Sequence, residues 1–171
     1  MSKFVVDANV GIKWVLPEIH SEAALRLNKP NYQLLVPDFF FPEIGNILWK
    51  RVRRGEMNLD DAQNDLELLL GLPLQICLSP RLMPMALEIA VRVQQAVYDC
   101  VYLALAVNNN CKMVTADERF YNALSHDKLF NYLCWIEDLR LILLKKYVNT
   151  RKTFAIICRL EMALIRFQVT F

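Results

Sequence analysis

The stretch VYDCVYLALAVNNNCKMVTAD, residues 97–117, decides the fold. From Asp99 to Val107 it offers almost no polar face, since Cys100, Val101, Leu103, Ala104, Leu105 and Ala106 crowd together, and a helix of that kind is buried on most sides. Asn108, Asn109 and Asn110 stop it, because asparagine favours turns and the left-handed conformation over helix. KMVT, residues 112–115, is short and bounded by polar residues, which predicts a strand ending at Ala116 and Asp117. A helix of about ten residues carries the chain roughly 15 Å from Asp99, and about six extended residues bring it back by roughly 18–20 Å. Asp117 is therefore expected at the edge where Asp99 began. One aspartate in the first turn of a helix is ordinary, because it caps the turn and complements the dipole. A second, delivered to the same edge from a buried strand, has no such explanation.

Outward from this stretch the chain alternates strand and helix. KFVVD, residues 3–7, is an uninterrupted apolar strand ended by Asp7, as expected of a buried parallel strand. Asn9 follows, then a helical turn or two over 10–16, and a helix over 18–27 with Ala23, Ala24 and Leu27 on one side. A second strand is predicted over 33–36. A long helix then runs through Arg54, with Pro42 near its start, where a missing N–H costs little, and Glu43 in the first turn or two. Residues 58–70 form another helix, opened by Asn58 and Asp61 in a capping-box-like arrangement, with Leu59, Ala62, Leu66, Leu69 and Leu70 inward. A strand over 74–78 and a helix over 84–93, with Ala86, Leu87, Ala90 and Val91 inward, lead to the central stretch. Beyond it come a helix over 117–124, an edge strand within 128–135 and a helix over 136–144. The pattern is that of an α/β fold with a mostly parallel central sheet and ligands at the carboxyl ends of its strands.

Composition sets bounds on function. With 171 residues and 55% hydrophobic content, the chain can bury a substantial core. Its longest uncharged runs, 68–80 and 100–111, fall short of the roughly 18 residues of a membrane span. Only Lys3 precedes the strand that meets Asp7, which is no secretory pattern, so a cytoplasmic protein with no membrane segment is expected. The five cysteines, at 77, 100, 111, 134 and 158, lack metal-ligand spacing and read as reduced thiols. His20 and His126 are isolated and support no Ser/His/Asp or Cys/His site. Residues 1–139 hold 13 Lys/Arg against 17 Asp/Glu, a net of −4, whereas residues 140–171 hold 7 Lys/Arg against Glu161 alone, a net of +6. The basic tail and the cluster Lys50, Arg51, Arg53 and Arg54 suit a polyanion, although cations at the end of a helix also complement its dipole.

Four acids carry the chemistry. Asp7 ends a strand, Glu43 and Asp99 start helices, and Asp117 ends a strand, so a parallel sheet puts all four on one edge. Like charges gathered there repel by about 1 kcal/mol per pair at 4 Å even in water, and by more in a drier site. A hard divalent cation offsets this, because Mg²⁺ and Mn²⁺ favour oxygen ligands completed by water and substrate phosphate. Metal-assisted phosphodiester hydrolysis is the reaction class that follows. Asn9 and Thr115 are placed to hydrogen-bond a carboxylate, although Asn9 also suits a helix cap and Thr115 a strand. Glu43 equally suits the start of its helix.

The segments VVDANVGIKWVLPE (5–18), FPEIGNILWK (41–50), VYDCVYLALA (97–106) and VTADERF (114–120) together resemble the four signature segments of PIN-domain ribonucleases, specifically the VapC-like toxins of bacterial toxin–antitoxin pairs. The resemblance spans residue 4 to about 139 and implies a PIN-like three-layer α/β/α sandwich over 1–140, followed by a basic and apolar extension over 141–171. It implies a Mg²⁺- or Mn²⁺-dependent endoribonuclease in which Asp7, Glu43, Asp99 and Asp117 bind metal and act in catalysis while Asn9 and Thr115 support them. It also implies a homodimer and inhibition by a small antitoxin. The chain departs from the pattern at Gln94, Gln95 and Ala96, where relatives often have a glycine-containing turn, and in its long tail. Two other readings stay open. Phosphotransfer at Asp7 wants a lysine near the end of a later strand, whereas Lys112 starts one. A non-catalytic binding module would keep the acidic groove only to dock a partner.

Overall fold

The structure is a computed structural model that describes residues 2–139. The extension expected over 141–171, and the part of the 136–144 helix beyond residue 139, lie outside the described residues. Among the described residues five strands form one sheet: β1 (Ser2–Val6), β2 (Tyr32–Pro37), β3 (Leu74–Cys77), β4 (Lys112–Thr115) and β5 (Leu133–Trp135). They run in the order β3-β2-β1-β4-β5. Every pairing is parallel, so the mostly parallel sheet of the sequence reading is in fact wholly parallel.

Among the described residues seven α-helices flank the sheet: α1 (Ala8–Gly11), α2 (Ser21–Leu25), α3 (Phe40–Arg53), α4 (Leu59–Leu70), α5 (Met83–Val93), α6 (Val97–Asn108) and α7 (Glu118–Ala123). Parallel strands need right-handed crossovers, so the chain walks from β1 to β3 with its helices on one face and returns through β4 and β5 with helices on the other. The packing agrees, since α3 meets α1 and α4, whereas α6 lies against β1, β2, β4 and α5. Because the chain leaves β1 in one direction and later fills the β4 side, the switch point falls between the carboxyl ends of β1 and β4.

The central helix is as apolar as its sequence implied. Residues 100–106 are all buried, Tyr102 among them at 0% exposure. Asn110 takes the left-handed conformation at φ 47° and turns the chain into β4. Gln94 also adopts positive φ, at 54°, and its Nε2 donates to the carbonyl of Val91 at 2.7 Å.

Several faces differ from the periodicity reading. In α4, Ala62 and Leu69 are buried, but Leu59 and Leu70 are more than half exposed. In α5, Ala86, Ile89 and Ala90 face inward, whereas Leu87 and Val91 face out. A helix this apolar on both sides does not reveal its inner face from spacing. The helix expected over 18–27 is shorter, Ser21–Leu25, because Ser21 and Glu18 are taken up by a turn in which the Glu18 N–H donates to Ser21 Oγ. That over 10–16 divides into α1 and a 3-10 turn, Ile12–Trp14. Asn58 caps α4 as expected, accepting the Asp61 N–H at 2.7 Å.

The Lys50–Arg54 cluster resolves into local partners. Arg51 pairs with Glu18 and with Glu56 at 3.1 Å, Arg53 lies 4.6 Å over the Trp49 ring, and Arg54 reaches Glu56 at 3.7 Å. Among the described residues no helix is long and apolar enough to cross a membrane. Cys77, Cys100 and Cys111 are free cysteines, and Cys158 lies outside the described residues.

One close approach ties this frame to the site. A Cβ on Gly11 would lie 2.5 Å from the tip of the Phe40 ring, which is fully buried at the start of α3. Gly11→Ala is therefore expected to destabilise the protein by about 1–3 kcal/mol, the usual cost of overpacking. A thermal melt checks it, and an unchanged midpoint would contradict this packing.

Candidate active site

The register explains why the acids meet. Val6 pairs with Val114, so Asp7 is level with Thr115 one step beyond, and the Asp7 N–H donates to the Val114 carbonyl at 3.2 Å. Asp7 is then both the end of β1 and the cap of α1. Asp117 stands two residues past β4 and caps α7, its Oδ1 accepting the Phe120 N–H at 3.0 Å. Glu43 sits in the first turn of α3, directly after β2, and Asp99 in the first turn of α6. All four therefore stand at the carboxyl edge.

A hydrogen-bonded lattice fixes Asp7. Thr115 Oγ1 donates to its Oδ2 at 2.7 Å, Asn9 Nδ2 donates to the same oxygen at 2.8 Å, and the Asn9 backbone N–H reaches Oδ1 at 3.3 Å. Asn9 Oδ1 accepts the Ala116 N–H at 3.0 Å, and Thr115 Oγ1 accepts that of Asp117, also at 3.0 Å. Asn9 and Thr115 thus stitch the β1 and β4 ends together, beyond the cap and strand roles that were their plainer readings. Asp7 and Thr115 are the buried polar side chains of the described residues, at 5% and 0% exposure.

The electrostatics bind the four acids into one group. Burial, reinforced by Asp99 and Glu43, pushes the Asp7 carboxyl up to about 7, against the opposing pull of the Thr115 hydroxyl and the Asn9 N–H. Asp99 is pushed up to about 6 by burial and then by Asp117, with Arg119 opposing. Glu43 is raised by burial and by Asp99, against the hydrogen bond from Tyr102. Asp7, Glu43 and Asp99 therefore each feel at least one other acid of the four.

Tyr102 is the participant that the sequence reading missed. Its hydroxyl donates to Glu43 Oε2, and burial first, then the charges of Asp7 and Glu43, push its ionisation far upward, so it acts as a neutral donor. A tyrosine inside an apolar helix reads as core, but its place three residues after Asp99 put it on the same side of α6. Arg119, two residues after Asp117, was missed as well.

The donor set suits a hard cation. Four carboxylates with repulsion to relieve are oxygen donors of the kind that Mg²⁺ and Mn²⁺ favour. Among the described residues no three acids, histidines or cysteines are gathered tightly enough to ligate an ion unaided. Mg²⁺ commonly takes one or two carboxylates and keeps several waters, so a loose group is no obstacle.

A family model described as PIN domain matches residues 4–123. The chain is similar to Ribonuclease VapC3 of Pyrobaculum aerophilum, with 34% identity over 119 residues, 68% of this chain and 91% of that protein. Among solved structures, PAE2754 from Pyrobaculum aerophilum superposes with a TM-score of 0.63 at 20% identity, covering 84% of this chain and 96% of that one. A toxin–antitoxin complex from Klebsiella pneumoniae superposes with a TM-score of 0.54 at 12% identity, covering 78% and 96%.

Proposed function

The chain belongs to the PIN-domain family, and from that premise we propose that it is a Mg²⁺- or Mn²⁺-dependent endoribonuclease, the toxin of a toxin–antitoxin pair. The observation that carries this reading is the gathering of Asp7, Glu43, Asp99 and Asp117 from four separate elements at the switch point of the sheet, where Glu43, Asp99 and Asp117 each raise the proton affinity of a neighbouring acid. The similarity to a protein named as a ribonuclease supports RNA as the substrate. The likeness to a toxin–antitoxin complex supports an antitoxin as partner. A homodimer acting in the cytoplasm and inhibited by a small antitoxin is part of the same proposal.

In this reading Asp7, Glu43, Asp99 and Asp117 hold the ion, which supplies Lewis acidity and charge neutralisation at a phosphodiester. Thr115 and Asn9 keep the Asp7 carboxylate in one orientation, and Tyr102 does the same for Glu43. Asp99, pushed up to about 6 by burial and Asp117 in the metal-free chain, would be drawn back to the ionised form that a ligand needs when the ion is bound. Phosphotransfer at Asp7 finds less support, because Lys112 opens β4 at the far end of the strand and donates its Nζ to the Asn131 carbonyl.

The test is to incubate the purified chain with defined RNAs plus Mg²⁺ or Mn²⁺, with and without chelator. Cleavage that chelator abolishes is the expected result. RNA left intact in every metal condition would overturn the assignment.

A further inference from the structure

Beside the acids stands an aromatic array whose outer ring has no part in holding an ion. Phe39 ends the turn after β2, and its carbonyl accepts the Glu43 N–H at 3.1 Å, so Phe39 lies one turn below Glu43 on α3. Tyr98 and Tyr102 are four residues apart on α6, and they share one side of that helix, flanking the direction taken by Asp99. Both tyrosine rings pack edge-to-face on Phe39, with centroids 5.5 Å away in each case and interplanar angles of 78° and 85°. The inner ring, Tyr102, is fully buried and hydrogen-bonded to Glu43. The outer ring, Tyr98, is 64% exposed although it is seated on Phe39.

An exposed ring clamped at its base by a half-buried one has little freedom to lose on binding. Its position adjoins Asp99 and faces the turn that carries Glu43. A nucleic-acid base stacks on such a ring with little regard to sequence, and only an unpaired base has its face free to do so. Taking the nuclease reading as its basis, we infer that Tyr98 is the stacking platform for an unpaired base next to the scissile phosphate. The site is thereby restricted to single-stranded or looped RNA. Tyr98 is a positioning and specificity residue, because it holds the base and touches none of the acids' chemistry.

The test uses the full chain and an oligoribonucleotide that the wild type cleaves. Tyr98→Ala is expected to raise KM about tenfold, the usual scale of one lost base–aromatic stack, and to affect KM more than kcat. Tyr98→Phe and Tyr98→Trp restore the wild-type KM, since the ring and not the hydroxyl does the work. In an Asp99→Asn background, which spares the RNA, 2-aminopurine placed beside the cleavage position is quenched on binding, and Tyr98→Ala removes the quenching. Affinity for a fully paired duplex of the same sequence does not change with Tyr98→Ala. A thermal melt of Tyr98→Ala matching the wild type excludes a folding effect, as its exposure implies.

If the wild type cleaves RNA but Tyr98→Ala keeps its KM and its quenching, this inference is overturned while the nuclease reading stands. Equal losses for duplex and single strand would also overturn it. A wild type that neither cuts nor binds RNA would remove both.

Discussion

Asp99→Asn is expected to lower Mn²⁺-dependent RNA cleavage by at least about a hundredfold while the fold survives. Residues that merely support a metal ligand cost about 10–100-fold when replaced, so a carboxylate placed among the ligands themselves sets that as a lower bound. The substitution keeps the shape and removes a charge that burial and Asp117 disfavour more than Arg119 favours it, so the folded chain loses no net stabilisation. Initial rates at saturating Mn²⁺ measure the first effect, and a thermal melt in chelator at pH 8 measures the second, where the variant should melt no lower than the wild type. Full activity in Asp99→Asn, under conditions where chelator silences the wild type, would remove Asp99 from the site.

That expectation was legible before any coordinates because it rested on chain return. The uninterrupted apolar run after Asp99 and the three asparagines after it required a buried helix and a tight reversal, and α6, the left-handed Asn110 and β4 follow from those two facts. The placing of Asp7 and Asp117 needed only parallel strands, whose carboxyl ends must share an edge. What was not legible has a common cause. Leu87 and Val91 were assigned inward because their spacing fits a helix face, but α5 has apolar residues on both sides and the pattern cannot say which the sheet covers. Tyr102 was hidden by the same ambiguity, since a phenol among alanines and leucines reads as packing until the acid opposite its hydroxyl is located. That acid, Glu43, lies 59 residues away in sequence, and no local pattern joins them. The Lys50–Arg54 cluster reads equally as a polyanion site or a helix end, and besides the nearby Glu56, which Arg51 and Arg54 both meet, Arg51 pairs with Glu18, a residue that no local pattern connects to it.

The metal-free chain should lose stability as pH rises from about 4 to 7. Asp7 has an ordinary affinity near 3.8 when unfolded and about 7 when folded, and Asp99 moves in the same direction to about 6. Between those values the native state binds more protons than the unfolded one, so the slope of unfolding free energy against pH is negative. The folded form is favoured at the acid end of this window and disfavoured above it, by a few kcal/mol at most for the buried Asp7. Glu18 and Glu137 are shifted downward, so their stabilising contribution is lost only as pH falls below the ordinary glutamate range, outside the window. In chelator the melting midpoint should accordingly drop by about 5–10 °C from pH 5 to pH 8. A bound divalent cation favours the ionised acids, so Mn²⁺ should raise the midpoint more at pH 8 than at pH 5. Asp7→Asn keeps an oxygen for Thr115 to donate to but carries no charge, and it should flatten the pH slope in chelator and weaken the Mn²⁺ effect. A midpoint that is level across this range in the wild type, or an equal slope in Asp7→Asn, would mean that burial of the Asp7 charge is not what the acidic edge has to overcome.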